Sequence, residues 1–145
     1  MIVLDTNVVS ELMKSPRSEA VVAWISTQRQ VDDLSVTTIT VAEVLYGIEL
    51  LPNGKRRDGL ERQAAAMFAH DFAGRILPFD DRAARIFAVV AAGRRKLGRP
   101  IEFFDAQIAA IARVHEATLA TRNTGDFEGC GVRLVNPWEE RVTGR

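Results

Sequence analysis

Short apolar runs that stop at a polar or turn-forming residue, each separated from the next by helical spacing, constrain this chain more than any other feature. Met1–Leu4 stops at Asp5-Thr6-Asn7, and Asp33–Thr37, Arg75–Phe79, Ala117–Thr121 and Val132–Val135 follow the same plan. Runs of four or five residues are too brief for helices, so they are expected to be buried strands. Between them lie helical patterns. Thr6 or Asn7 opens one that runs to Met13 and breaks at Lys14-Ser15-Pro16. Ser18-Glu19 opens another, with Val21, Val22, Trp24 and Ile25 as its apolar face. Thr38 or Thr40 caps Val41–Leu51, which Pro52-Asn53-Gly54 stops. Arg56–Phe72 carries Leu60, Ala64, Met67 and Phe68 at helical spacing. Asp80 or Asp81 caps a helix to Leu97, closed by Gly98 and Pro100, and Glu102–Glu116 is the last. Strands alternating with helices predict an α/β fold with a mostly parallel sheet covered on both faces. In such folds ligands bind beyond the carboxyl ends of the strands, where the strand order reverses.

At 145 residues the chain has the size of one domain. Its 47% hydrophobic and 26% charged residues exclude disordered and low-complexity classes. Cys130 is the one cysteine, so no disulfide framework is available and a reducing compartment is expected. The net charge is zero, which argues against a long, sequence-independent grip on nucleic acid. Of the 19 basic residues 16 are Arg, whose planar fork suits phosphate. The most apolar stretch, 34–51, carries Glu43 and Glu49, and the amino terminus lacks a basic region and a cleavage site. No membrane segment and a cytoplasmic location are expected.

Four carboxylates stand where acids are unusual. Asp5 directly follows the first strand. Glu43 sits in Val41-Ala-Glu-Val-Leu45 and Asp105 in Phe103-Phe-Asp-Ala-Gln-Ile108, both near the start of otherwise apolar helices. Asp126 follows the fourth strand, in Thr121-Arg-Asn-Thr-Gly-Asp126. Asp105 shares a helix face with Ile101, Ile108 and Ala109, and Glu43 shares one with Ile39 and Gly47. Neither has a basic residue within one turn. A charge on a buried stripe is costly unless it is paired or bound to a cation. Singly, each acid has a plain structural role as a turn former, helix-start acid, loop residue or partner of a distant Arg. Jointly, two after strands and two opening helices are expected to converge beyond the strand ends. Crowded carboxylates need a cation, and hard oxygen donors suit Mg²⁺ or Mn²⁺.

Other chemistries fit poorly. Zinc lacks ligands, because His70 and His115 are far apart and read as helix-surface residues. No histidine near a turn supports a nucleophilic triad. Phosphate-binding glycine motifs are absent, and Gly129-Cys-Gly131 reads as a turn before the last strand. A phosphotransfer receiver would need a lysine after a late strand. A haloacid-dehalogenase-type phosphatase would need a second Asp where Asn7 stands.

Taken in order, Leu4-Asp-Thr-Asn7, Val41-Ala-Glu-Val-Leu-Tyr-Gly47, Phe104-Asp-Ala-Gln-Ile-Ala-Ala110 and Thr121-Arg-Asn-Thr-Gly-Asp-Phe127 resemble a PIN domain. The ending Gly131-Val-Arg-Leu-Val-Asn-Pro-Trp138 is similar to VapC/FitB-type toxins of toxin–antitoxin pairs. The resemblance spans residues 1–139, leaving 140–145 as a tail, and implies a three-layer α/β/α fold with four to five strands. It implies a Mg²⁺- or Mn²⁺-dependent ribonuclease with Asp5, Glu43, Asp105 and Asp126 as metal-holding residues. Thr6, Asn7, Thr121 and Asn123 would support them, and Arg122 would contact RNA phosphate. It also implies a homodimer, a cognate antitoxin from an adjacent gene whose tail fills the active-site groove, and DNA reached only through that antitoxin. The apolar surplus Ile86, Phe87, Val89 and Val90 on one helix agrees with a dimer. An RNA-processing nuclease without an antitoxin, and a PIN-like binding module, are the alternatives.

Overall fold

The computed structural model describes residues 1–28 and 33–139; the predicted tail, 140–145, lies outside them. Five parallel strands, β1 (Ile2–Leu4), β2 (Leu34–Thr37), β3 (Ile76–Leu77), β4 (Thr118–Ala120) and β5 (Arg133–Val135), lie in the order β3-β2-β1-β4-β5. The chain builds outward from β1 to β3, then returns to the other side of β1 for β4 and β5. The strand order therefore reverses between β1 and β4, whose register pairs Leu4 with Ala120. Asp5 and Thr121 leave the sheet side by side at that point, and the Asp5 N–H donates to the Ala120 carbonyl.

All of β1 is buried, as expected of a central parallel strand. Successive side chains point to opposite faces. Ile2 and Leu4 enter one core with Val8, Trp24, Val36 and Phe72, while Val3 enters the other with Ile108, Leu119 and Phe127. The first core is covered by α1 (Thr6–Leu12), α2 (Glu19–Gln28), α3 (Thr38–Glu49) and α4 (Lys55–Ala66). The second is covered by α5 (Asp81–Lys96) and α6 (Phe103–Val114). Four buried alanines, Ala106, Ala109, Ala110 and Ala112, leave little side-chain bulk between α6 and its neighbours.

Several boundaries differ from the sequence expectation, for local reasons. Asp5 caps α1, rather than Thr6 or Asn7, because its carboxylate accepts from the Thr6 N–H. Thr37 caps α3, rather than Thr38 or Thr40, because its hydroxyl accepts from the Thr40 N–H; the helix starts three residues earlier than expected. The expected helix 56–72 leaves α geometry at Met67, and a π turn runs through Asp71. The Phe72 N–H bonds the Met67 carbonyl, a five-residue step that puts both side chains into the first core. β3 is shorter than expected, since Pro78 offers no N–H to a ladder. Val22 is left off the buried face of α2. Gly129 and Gly131 both take positive φ around buried Cys130, which makes the turn before β5. His70 and His115 are exposed.

Candidate active site

Asp5 is the anchor of the cavity at the strand-order reversal. One oxygen accepts from the Thr6 N–H (2.8 Å), the other from Asn7 Nδ2 (3.1 Å) and Thr121 Oγ1 (2.8 Å). Thr121 comes from the end of β4, so the bond joins the two central strands through their first polar residues. It is completed by the Asn123 N–H, which donates to Thr121 Oγ1. Asp5 is 4% exposed, and burial raises its carboxyl above the ordinary range despite these donors.

Glu43 reaches the same cavity from the second turn of α3. Thr6 Oγ1 donates to it at 2.8 Å and stands 2.9 Å from Thr40 Oγ1. Burial again raises the carboxyl, with the charges of Asp5 and Glu102 adding to it. Asp105 enters from the first turn of α6, half-buried. No hydrogen bond or ion pair from a described residue reaches its carboxylate. Burial first, then the negative charges of Asp5, Glu43, Asp126 and Glu102, push it up to about 6.

Asp5, Glu43 and Asp105 line one cavity of about 370 Å³, together with Thr6, Asn7 and Asn123. Asp126 does not line it. It sits on a 3-10 turn (Thr124–Phe127) and lines an adjoining cavity with Asp105 and Glu102, so Asp105 stands between the two. Asp126 is exposed but close enough for its charge to act on both Asp5 and Asp105.

Arg94, Glu102 and Trp138 belong to the neighbourhood and were not singled out from the sequence. Arg94 is 5% exposed. Its Nη1 donates to the Asp126 (2.7 Å) and Glu128 (2.9 Å) carbonyls and its Nε to the Arg99 carbonyl (2.8 Å), tying the Asp126 turn to the end of α5. Its one sequence signal is spacing: Arg94 falls four residues after Val90 on the buried face of α5.

The donor set suits a hard divalent ion. The carboxyls of Asp5, Glu43 and Asp105 are held above their ordinary range by burial and by neighbouring negative charge, both of which a bound cation relieves. Among the described residues no cation is paired with them: Lys14 is engaged by Glu11 at 2.9 Å, and Arg122 lies over Trp138. Among the described residues no three carboxylate, imidazole or thiol groups are gathered tightly enough to enclose an ion. An open set of this kind fits Mg²⁺, which keeps several waters and takes few protein ligands, better than a closed structural metal.

The chain is similar to known proteins along nearly its whole length. A family profile described as PIN domain matches residues 2–129. VapC ribonuclease Y4jK of Sinorhizobium fredii is 43% identical over 139 residues, 96% of this chain and 99% of that protein. Toxin FitB of Neisseria gonorrhoeae is 41% identical over 140 residues, 97% of this chain and all of that protein. A solved structure of FitAB bound to IR36 DNA fragment superposes with a TM-score of 0.88 at 40% identity, covering 99% of this chain and 100% of that one. The chain belongs to the PIN-domain family, among its VapC- and FitB-type members.

Proposed function

We propose that this protein is a divalent-metal-dependent ribonuclease and the toxin half of a toxin–antitoxin pair. One observation carries the chemical part: Asp105, a half-buried carboxylate with no partner among the described residues, lines one cavity with two further carboxylates. The names of the similar proteins support the biological part. Asp5, Glu43 and Asp105, with Asp126 across the Asp105 side chain, would hold Mg²⁺ or Mn²⁺. Bound there, such an ion supplies a water acidic enough to attack phosphorus and offsets charge on the leaving oxygen. The chain's own residues prepare that site. Thr6, Asn7 and Thr121 fix Asp5 in one orientation, and Thr6 also directs Glu43. Asn123 holds Thr121, and Arg122 supplies a cation for phosphate at the cavity mouth.

The antitoxin tail would occupy the groove that continues from this site. A cavity of about 610 Å³ shares Ser10, Lys14 and Glu43 with it and is walled by apolar Met13, Ile48 and Leu60. DNA would be met through the antitoxin alone. We also propose a homodimer, though not on the whole surplus expected on α5: Val90 is buried and Ile86 and Phe87 pack against the second core, so the exposed apolar side chains are Val89 (61%), Phe103 (69%) and Phe104 (56%). A cytoplasmic location fits these partners; no helix among the described residues is long and apolar enough to cross a membrane.

The deciding experiment expresses the chain with and without its neighbouring small gene and reads growth and RNA cleavage. Growth arrest relieved by the neighbour, with cleavage in Mg²⁺ or Mn²⁺ abolished by chelator, is expected. Intact RNA and unaffected growth would refute the reading.

A further inference from the structure

The mouth of the acidic cavity carries a second arrangement that metal chemistry does not use. Arg122 Cζ lies over the Trp138 ring, 5.0 Å from its centroid, and both residues line the cavity that holds Asp5, Glu43 and Asp105. A guanidinium on an indole is an ordinary surface contact when both side chains are otherwise free. Here the backbone of the pair is fixed at every end. The Arg122 N–H donates to Asn7 Oδ1 (3.3 Å). Its carbonyl accepts from Asn136 Nδ2 (3.2 Å), and Asn136 Oδ1 accepts from the Trp138 N–H (3.0 Å). Asn136 therefore holds both members of the stack in mutual register. Asn7, which donates to Asp5, ties that stack to the carboxylate centre.

Arg122 is also unpaired among the described residues. No ion pair from a described residue reaches it. The nearby acid that feels its charge, Glu11, is occupied by Lys14 Nζ (2.9 Å) and the Ser18 N–H (3.0 Å). Arg122 is exposed and its Cζ stands over the indole. A guanidinium is a planar, cationic surface of the size a nucleobase covers, here at the rim of a cavity that would otherwise repel RNA. Proteins read unpaired RNA by stacking its bases on aromatic rings and on guanidinium planes, and a base inside a duplex is not free to do this.

We propose that Arg122 and Trp138 form a nucleobase-stacking step at the cavity rim, which seats one unpaired base beside the carboxylate centre. The step rests on the ribonuclease reading above and deepens it. Stacking of a base, guanidinium and indole in three layers fixes where the neighbouring phosphate falls, and the same cation offsets the charge of that phosphate.

The probes are a labelled short oligouridylate and the same chain with abasic riboses, with binding read by fluorescence polarisation in Ca²⁺. Arg122→Lys keeps the charge and removes the plane. It is expected to weaken oligouridylate binding about tenfold and to leave the abasic chain within about twofold. Arg122→Gln should weaken both. In the unmodified chain, emission from Trp138 should fall with oligouridylate and not with the abasic chain; buried Trp24 serves as the internal reference. Equal losses on both probes with Arg122→Lys would reduce Arg122 to a phosphate contact and overturn the step. So would unchanged binding of both, or Trp138 emission blind to the base. Cleavage of RNA by the unmodified chain without this binding pattern refutes the step alone. The binding pattern without cleavage refutes the nuclease reading and leaves the step standing.

Discussion

Half-buried Asp105 and buried Asp5 are acids of one cavity, yet they stand in opposite relations to the fold. Asp105 has no hydrogen bond from a described residue to lose, and its carboxyl is pushed up to about 6. Between the ordinary value of 3.8 and about 6, the folded state keeps a proton that the unfolded chain has released. Stability therefore falls as pH rises through that window, and the full penalty is present above it. The metal-free protein is expected to show this loss in a series of thermal melts. Asp105→Asn should remove it, melt no lower at neutral pH, and lose both Mn²⁺ binding and RNA cleavage. A lower melting temperature with cleavage intact would make Asp105 a structural residue. Arg94 is the opposite case, a buried cation whose partners are all carbonyls or the Cys130 sulfur. Arg94→Met leaves three carbonyls without their donor and is expected to cost about 3 kcal/mol in urea unfolding. Asp105 was legible because an acid on an apolar stripe breaks a pattern within its own helix. Arg94 broke the same kind of pattern, but its meaning lies in carbonyls more than thirty residues away along the chain, which spacing does not encode.

At the level of elements, the strand ends carry the information that places the site. The side chain that caps the next helix directly follows β1, as Asp5 for α1, and closes β2, as Thr37 for α3. Thr37→Ala should cost about 1 kcal/mol through the lost cap. It should also loosen the first turn of α3, whose Thr40 meets Thr6 beside Glu43. Urea unfolding checks the first effect, and a matching drop in Mn²⁺ affinity the second. The alternation of strands and helices was readable because two periods, 2.0 and 3.6, are distinct within a few residues. The π turn after α4 was not, since Met67 and Phe72 fit an α-helical stripe almost as well. Nor was the turn under Asp126. Its position after β4 was visible, but which cavity it faces depends on the Arg94 contacts and not on its own segment.

For the whole molecule, the two-sided core follows from strands buried on both faces, and it leaves Val89, Phe103 and Phe104 without cover. Phe103 is held edge-on by Phe87 (5.5 Å between centroids), which in turn meets Phe79 (6.0 Å), so the patch rests on a packed base. Val89→Glu with Phe104→Glu is expected to halve the sedimenting mass without lowering cleavage per folded site by the isolated domain. A mass of 16.0 kDa for the unaltered chain at micromolar concentration would refute the dimer. The unequal bonding of the two acids has a last consequence, in the history such a chain can have. Asp5 answers to two kinds of selection, since its oxygens cap a helix and join two strands whatever the cavity does. Asp105 answers to one. When a lineage stops needing the activity but still needs the folded surface, drift is free to reach Asp105 first. Inactive descendants that persist for binding alone should vary at that position while Asp5 stays unchanged.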